Sequence, residues 1–265
     1  MRKFIIFISI LAALVSCNSG KERTEISNTN NTDSIKNTSM QTDSINSNRV
    51  KREIVINVMK TTEITGEFEC LDMELFKQCM EEGRANDWGP VYRKRLDSGI
   101  DIEIDGGSDD ITYQETHPDS YFSIYKIFYK STGYIREKGL IITKANSLLS
   151  RVGTWYFYDE SGKLTQEIND DHHYKFTFND VLAFCKKERI PFTKGKDYLT
   201  KTIIRTSDNE PISVTHYAFI DRGEDYKGLK YWWVITHYPG FFEYRTEIVL
   251  DGQTGKVISR HSGMI

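Results

Sequence analysis

The sequence predicts an α+β fold: a twisted antiparallel β-sheet-rich domain with two or three short helices. Three observations predict it. The 265 residues hold 15 Tyr, 14 Phe and 4 Trp against only 5 Pro, and aromatic side chains suit a pleated, half-buried surface. Beyond residue 50 the chain breaks into short apolar and aromatic runs separated by Gly, Asp and Asn turn signals, the texture of successive strands. Clear helical spacing is confined to two stretches, around residues 72–82 and 180–189.

Taken in order, Met1-Arg2-Lys3 supplies a cationic start and residues 4–15 an apolar run broken only by Ser9. This has the form of a secretory leader over 1–16. About a dozen apolar residues are too few to span a bilayer, which needs about 20. Leu14-Val15-Ser16-Cys17 resembles the lipobox of bacterial lipoproteins. The resemblance implies that Cys17 becomes the mature N-terminus and carries several acyl chains such as palmitate. Each buried methylene contributes about 0.8 kcal/mol, so two or more chains hold a protein at a membrane where one does not. The expected location is the cell envelope, lipid-anchored to a membrane, with the outer membrane favoured and the protein facing the periplasm or the surface.

Residues 17–50 are about half Ser, Thr and Asn and show no apolar periodicity, so they read as a disordered tether with a coil span of about 30 Å. Thr32-Asp33-Ser34-Ile35 recurs as Thr42-Asp43-Ser44-Ile45. Asp-Ser followed by an apolar residue resembles the O-glycosylation sequon of Bacteroidetes, which implies glycans on Ser34 and Ser44.

The folded part is expected over 51–265, as an α+β region (51–190) and a β-rich region (191–265) packed together. Asp72 to Glu82 reads as a helix capped by Asp72 and stopped by Gly83. Ile100, Ile102 and Ile104 alternate with Asp101, Glu103 and Asp105, a strand with its acidic face in water. Further strands are expected over 121–129 and 152–158. A solvated Asp170-Asp171-His172-His173 loop precedes a strand over 174–178. The second helix runs over 180–189, capped by Asn179 and stopped by Ile190-Pro191. Strands follow over 202–205, 213–220, 231–238 and 244–250, and the turn Asp251-Gly252-Gln253-Thr254-Gly255 opens a terminal hairpin.

Gly153 to Glu167, with Trp155, Phe157 and Tyr158 before Gly162 and Leu164 after it, resembles a unit of the variant MORN-type repeats of Bacteroidetes proteins. Residues 128–135 resemble an earlier copy. The resemblance implies hairpins used for contacts. Tyr231-Trp232-Trp233-Val234 followed by Asp251 to Val257 resembles the end of a PepSY-type domain, which implies a small extracytoplasmic binding or inhibitory sheet.

The chemistry is sparse. With the leader removed, 33 basic residues face 38 acidic ones, a net charge of −5, so there is no basic footprint for nucleic acid. No zinc-protease helix, nucleophile elbow or phosphate loop occurs, and no cofactor is expected. The Asp-Asp-His-His stretch is the densest set of metal-ligand types but reads as a loop. Asp101 to Gly106 resembles the start of a calcium loop, yet Ser108 stands where an apolar residue belongs and Thr112 where the bidentate Glu should be. Cys79 and Cys185 fall on apolar helix faces and read as structural, and a Cys70–Cys79 disulfide remains open. Trp232, Trp233, Tyr238, Phe241 and Phe242 gather as a candidate binding patch.

The expectation is a membrane-anchored, noncatalytic binding module for an envelope or secreted protein. An immunity-type lipoprotein that neutralises a delivered toxin is one alternative. A hydrolase built on His216 and His237 is a second, and a structural envelope protein a third.

Overall fold

The computed structural model describes residues 64–264 without 88, 108, 146–149, 205–210, 226 and 239–243; for 202–204, 212, 237, 238 and 244 it describes the backbone alone. These residues belong to one compact unit, Ile54–Ile265, and they form two antiparallel sheets where one was expected.

Helix α1 (Met73–Ala85) starts as its sequence dictates. The Asp72 carboxylate accepts from the N–H groups of Glu74 and Leu75 at 2.9 and 3.0 Å, satisfying donors that the first turn leaves unpaired. Gly83 does not stop the helix, which continues to Ala85. Its role is clearance: a Cβ there would lie 2.1 Å from the Val91 carbonyl oxygen.

Seven strands follow in chain order: β1 (Val91–Arg95), β2 (Asp101–Asp105), β3 (Asp110–Thr116), β4 (Phe122–Tyr129), β5 (Ile135–Ile142), β6 (Arg151–Tyr158) and β7 (Leu164–Asn169). Each pairs with its sequence neighbour, so the sheet is a simple meander. Its first core packs Phe76, Cys79 and Met80 of α1 on Tyr92, Ile102, Ile104, Ile111, Tyr113 and Phe128. The acidic row of β2 is not left to water. Arg95 pairs with Asp101 at 2.8 Å and Arg93 with Glu103 at 3.1 Å, and Lys196 also reaches Glu103.

The expected strand over 174–178 is absent; bends lead instead into helix α2 (Phe178–Lys187). Its cap is Thr177, not Asn179: the Thr177 hydroxyl accepts from Asp180 N–H while the Asp180 carboxylate accepts from Thr177 N–H. This is a reciprocal capping box. The aromatic alternation at 174–178 serves loop packing. Tyr174 lies 5.1 Å from the Trp232 ring, and Phe176 accepts the Trp232 indole N–H at 2.8 Å.

The second sheet runs β8 (Leu199–Ile204), β9 (Pro211–Glu224), β10 (Lys230–Tyr238), β11 (Tyr244–Asp251) and β12 (Val257–Met264), again in chain order. Phe178, Val181 and Cys185 of α2 pack with Ala218, Ile220, Trp232, Val234, Ile248 and Leu250, and Ile142 and Val152 enter the same cluster. The two sheets therefore share a core. They also share hydrogen bonds, because β8 pairs only with the first part of β9. Further along β9, Ile220 N–H donates to Lys144 O at 3.0 Å, and the Ser150 hydroxyl donates to Asp221 at 2.8 Å and accepts from Arg222 N–H.

Five of the hairpins turn on one device. Gly99, Gly133, Gly162, Gly228 and Gly255, each with φ between 70° and 83°, donate their N–H to the carbonyls of Leu96, Tyr129, Asp159, Asp225 and Asp251. A positive φ at that position is where glycine carries no Cβ penalty. In the last three turns the Asp carboxylate also accepts backbone N–H groups inside the turn. Among the described residues no helix is long and apolar enough to cross a membrane.

Candidate functional site

One face of the second sheet packs on α2 and the other looks away from it, and strand alternation separates the two tryptophans of the expected patch. Trp232 is core: it is fully buried, and Phe178 and the Arg222 guanidinium lie 6.0 and 4.6 Å from its ring. Trp233 lies in the opposite row. There β9 contributes Tyr217, Phe219 and Asp221, opposed on β10 by His237, Ile235 and Trp233, and β11 continues with Arg245, Glu247 and Val249. Tyr198 completes the patch from the loop before β8, its ring 4.8 Å from Tyr217 and 5.9 Å from Phe219.

This face is apolar at its centre and charged at its margin. Ile235 is buried, Trp233 and Phe219 are half-buried, and Tyr217 is 36% exposed. Arg245 and Glu247 pair beside them at 2.5 Å. The Trp233 indole N–H is enclosed and has no hydrogen-bond partner. Lys144 fixes the loop that carries Tyr198. Its buried ammonium donates to the carbonyls of Asp197 and Thr193 at 2.6 and 2.8 Å and lies 5.0 Å from the Tyr198 ring. Burial pushes its pKa down to about 8, with Asp197 acting in the opposite sense.

Of the expected patch, then, Trp232 and Trp233 fall on opposite faces, Tyr238 lies on β10 with only its backbone described, and Phe241 and Phe242 lie outside the described residues, as do Cys17, Ser34 and Ser44. Tyr198, Tyr217 and Phe219 were missed. The signal for two of them was present, since Tyr217 and Phe219 alternate within a run that reads as a strand.

The densest cluster of buried charge lies elsewhere, on the first sheet. Lys126 and Lys138 are opposed on β4 and β5, and both donate to the Glu69 carboxylate, at 2.5 and 2.6 Å. Lys138 and the Tyr158 hydroxyl also donate to Glu67 O. Leu71 N–H donates to Gly133 O, and Ile135 N–H to Glu69 O. Together these bonds pin residues 67–71 onto the sheet. Beside them Glu115, fully buried, accepts from the Tyr113 hydroxyl and contacts His117 Nε2, both at 2.7 Å. Every charge here is matched by a protein partner, as a structural lock requires.

The other candidates resolve into structure. Asp171 pairs with Arg222, which also donates to the carbonyls of Arg151 and Asp170. The Asp-Asp-His-His turn thus cements the junction of the sheets. His172 and His173 are exposed with their rings edge to face, and no group of three or more metal-ligand side chains converges among the described residues. His216 and His237 stand in alternate rows: His237 is opposed to Tyr217, the residue after His216. Cys70 is exposed while Cys79 and Cys185 are buried, and the structure has no disulfide between Cys70 and Cys79. Burial pushes the Cys79 and Cys185 thiols up to about 11 and 12, which suppresses the reactive thiolate. Cys185 lines a cleft of about 400 Å³ with Tyr121, Leu182, Lys186, Ile190 and Phe192, which is thereby left without an activated nucleophile.

The class these features define is a mostly-β α+β protein with two meander sheets sharing a core. No family model, no curated protein and no solved structure matches the chain.

Proposed function

We propose that this chain is an envelope-anchored lipoprotein, held in a membrane by lipid on Cys17, whose folded unit is a noncatalytic binding module for another envelope or secreted protein. The observation that carries the binding role is the aromatic group on the face of the second sheet away from α2. Tyr198, Tyr217, Phe219 and Trp233 form a partly exposed aromatic surface with a charged margin. Aromatic anchors ringed by polar groups are the usual energetic centre of a protein–protein contact. The lipobox, the leader and the tether over 17–50 support the anchor.

The test is capture with the full-length protein from envelope and secreted fractions, comparing wild type with Tyr217→Ser. Truncating a half-exposed aromatic at an interface centre costs about 2 kcal/mol or more of binding, so a specific partner falls about thirtyfold in affinity while the thermal melt stays nearly unchanged. A partner retained at full affinity by Tyr217→Ser removes this face from the reading. Labelled palmitate enters the wild type and is absent from Cys17→Ala; label kept by that variant refutes the anchor.

A further inference from the structure

The last strand is an edge unlike those of the first sheet. Among the described residues β12 pairs only with β11, and all of its residues but Ser259 are exposed. Met264, at 70% exposure, and Ile258, at 49%, are the two most exposed large apolar side chains described. Natural sheets usually blunt such an edge with charge or short length. β1 does so, with Arg93, Lys94 and Arg95 in five residues, and β7 has only six residues. β12 has eight residues, a bulge at Ile258 that is confined to its start, and one full cation, Arg260, whose charge is already met by Glu188 at 2.7 Å.

We propose that two copies of this chain pair through β12, strand against antiparallel strand, about a two-fold axis at His261. Symmetry narrows the choice of register. A two-fold axis perpendicular to a sheet keeps every side chain on its own face, so the axis must pass between a residue and its own copy. Within Val257–Met264, only axes at Arg260 and His261 overlap the strand over seven residues. The Arg260 axis sets guanidinium against guanidinium, a destabilising opposition. The His261 axis opposes Ile258 to Met264, Ser259 to Gly263 and Arg260 to Ser262, with His261 facing its copy. It thus places the two most exposed apolar side chains against each other, twice, and opposes no pair of guanidinium groups. Pairing would join two five-stranded sheets into one of ten and satisfy the open backbone edge of both.

Cysteine cross-linking in whole cells making the full chain tests the interface and its register. The background is Cys70→Ser, since Cys79 and Cys185 are buried. Directly opposed residues in antiparallel strands have Cα atoms about 4.5–5.5 Å apart, inside the range a disulfide spans. On mild oxidation His261→Cys gives a band at twice the monomer mass that disappears on reduction, and the background alone gives none. Ser259→Cys alone gives no band, because its copy lies four residues further along, about 13 Å away. Cells making Ser259→Cys and Gly263→Cys chains together regain it. No band from His261→Cys, with the thiol still open to maleimide, overturns the interface. Equal yield from Ser259→Cys alone overturns the register, and a band at any other mass shows a different protein on this edge.

Discussion

Glu69→Gln removes the one negative charge that separates two nearly enclosed ammonium groups. The Lys126 and Lys138 side chains are 9% and 1% exposed, so water cannot replace the lost partner. Both lysines bond the same carboxylate, which places them about 5 Å apart, and like charges at that distance repel by about 3 kcal/mol at an effective dielectric near 20. Breaking one side of a buried ionic group costs about 3–5 kcal/mol. The Glu69 side chain is itself 32% open to solvent, and burial already lowers the Lys138 pKa, so Lys138 can shed its proton and cap the penalty. We expect a loss of about 3 kcal/mol, or about 6–12 °C in melting temperature for a unit of this size. Urea unfolding at pH 7, followed by fluorescence of the buried Trp155 and Trp232, measures it. A loss below about 1 kcal/mol would refute the lock. The pH dependence gives a second arm. Burial alone would raise the Glu69 pKa, but Lys126 and Lys138 together hold it below the usual carboxylate value. The native state therefore binds fewer protons than the unfolded one, and the stabilisation is complete above the ordinary carboxylate range and lost as pH falls through the lowered value. The gap between wild type and Glu69→Gln should be level from pH 7 to 5 and close below about pH 4. Lys138→Met, which leaves the Glu69–Lys126 pair intact, should cost less.

Two further predictions concern packing. Gly83→Ala forces a methyl to 2.1 Å from the Val91 carbonyl oxygen, so despite alanine's better helix propensity it should destabilise by about 2 kcal/mol or more, read by the same urea titration; a neutral or stabilising result would show that β1 is not held against α1. In the folded protein at pH 7.5, maleimide should label Cys70 within minutes and leave Cys79 and Cys185 untouched until denaturant is added, because burial raises both thiol pKa values. Mass spectrometry of tryptic peptides reads this directly, and rapid native labelling of Cys185 would contradict the closed packing of α2.

Much of the secondary structure was legible because local chemistry and tertiary packing agree. Asp72 caps α1 as its position suggests, and the strand runs at 121–129, 152–158, 213–220, 231–238 and 244–250 coincide closely with β4, β6, β9, β10 and β11. The misses have common causes. β1, β3 and β5 place Arg, Lys or Glu among their apolar residues. Lys138 is buried because Glu69 meets it from 69 positions away, a partner that a period-two pattern cannot show, whereas Glu115 is held by Tyr113 and His117, two residues to either side of it. Asn179 and Thr177 are both good caps, and the choice falls to Thr177 because Asp180 stands three residues after it. At the aromatic face, adjacency in sequence misled: Trp232 and Trp233 are neighbours along the chain but occupy opposite sides of the sheet. Tyr198 reaches that face only through the Lys144 clasp, a contact between positions over fifty residues apart.

The simple order of the strands bears on how fast this protein can form. In both sheets every strand pairs with its neighbour in sequence, and several joints are tight glycine turns of a few residues. Little chain has to be closed into a loop before the next pairing rewards it, so the entropic barrier for each step is low. The shared core and the contacts of Lys144 and Ser150 with β9 are the main long-range demands. Such a chain can build each meander hairpin by hairpin and dock the two last, and the docking step, which needs Arg222, Asp171 and Ser150 all in place, is where refolding should be slowest.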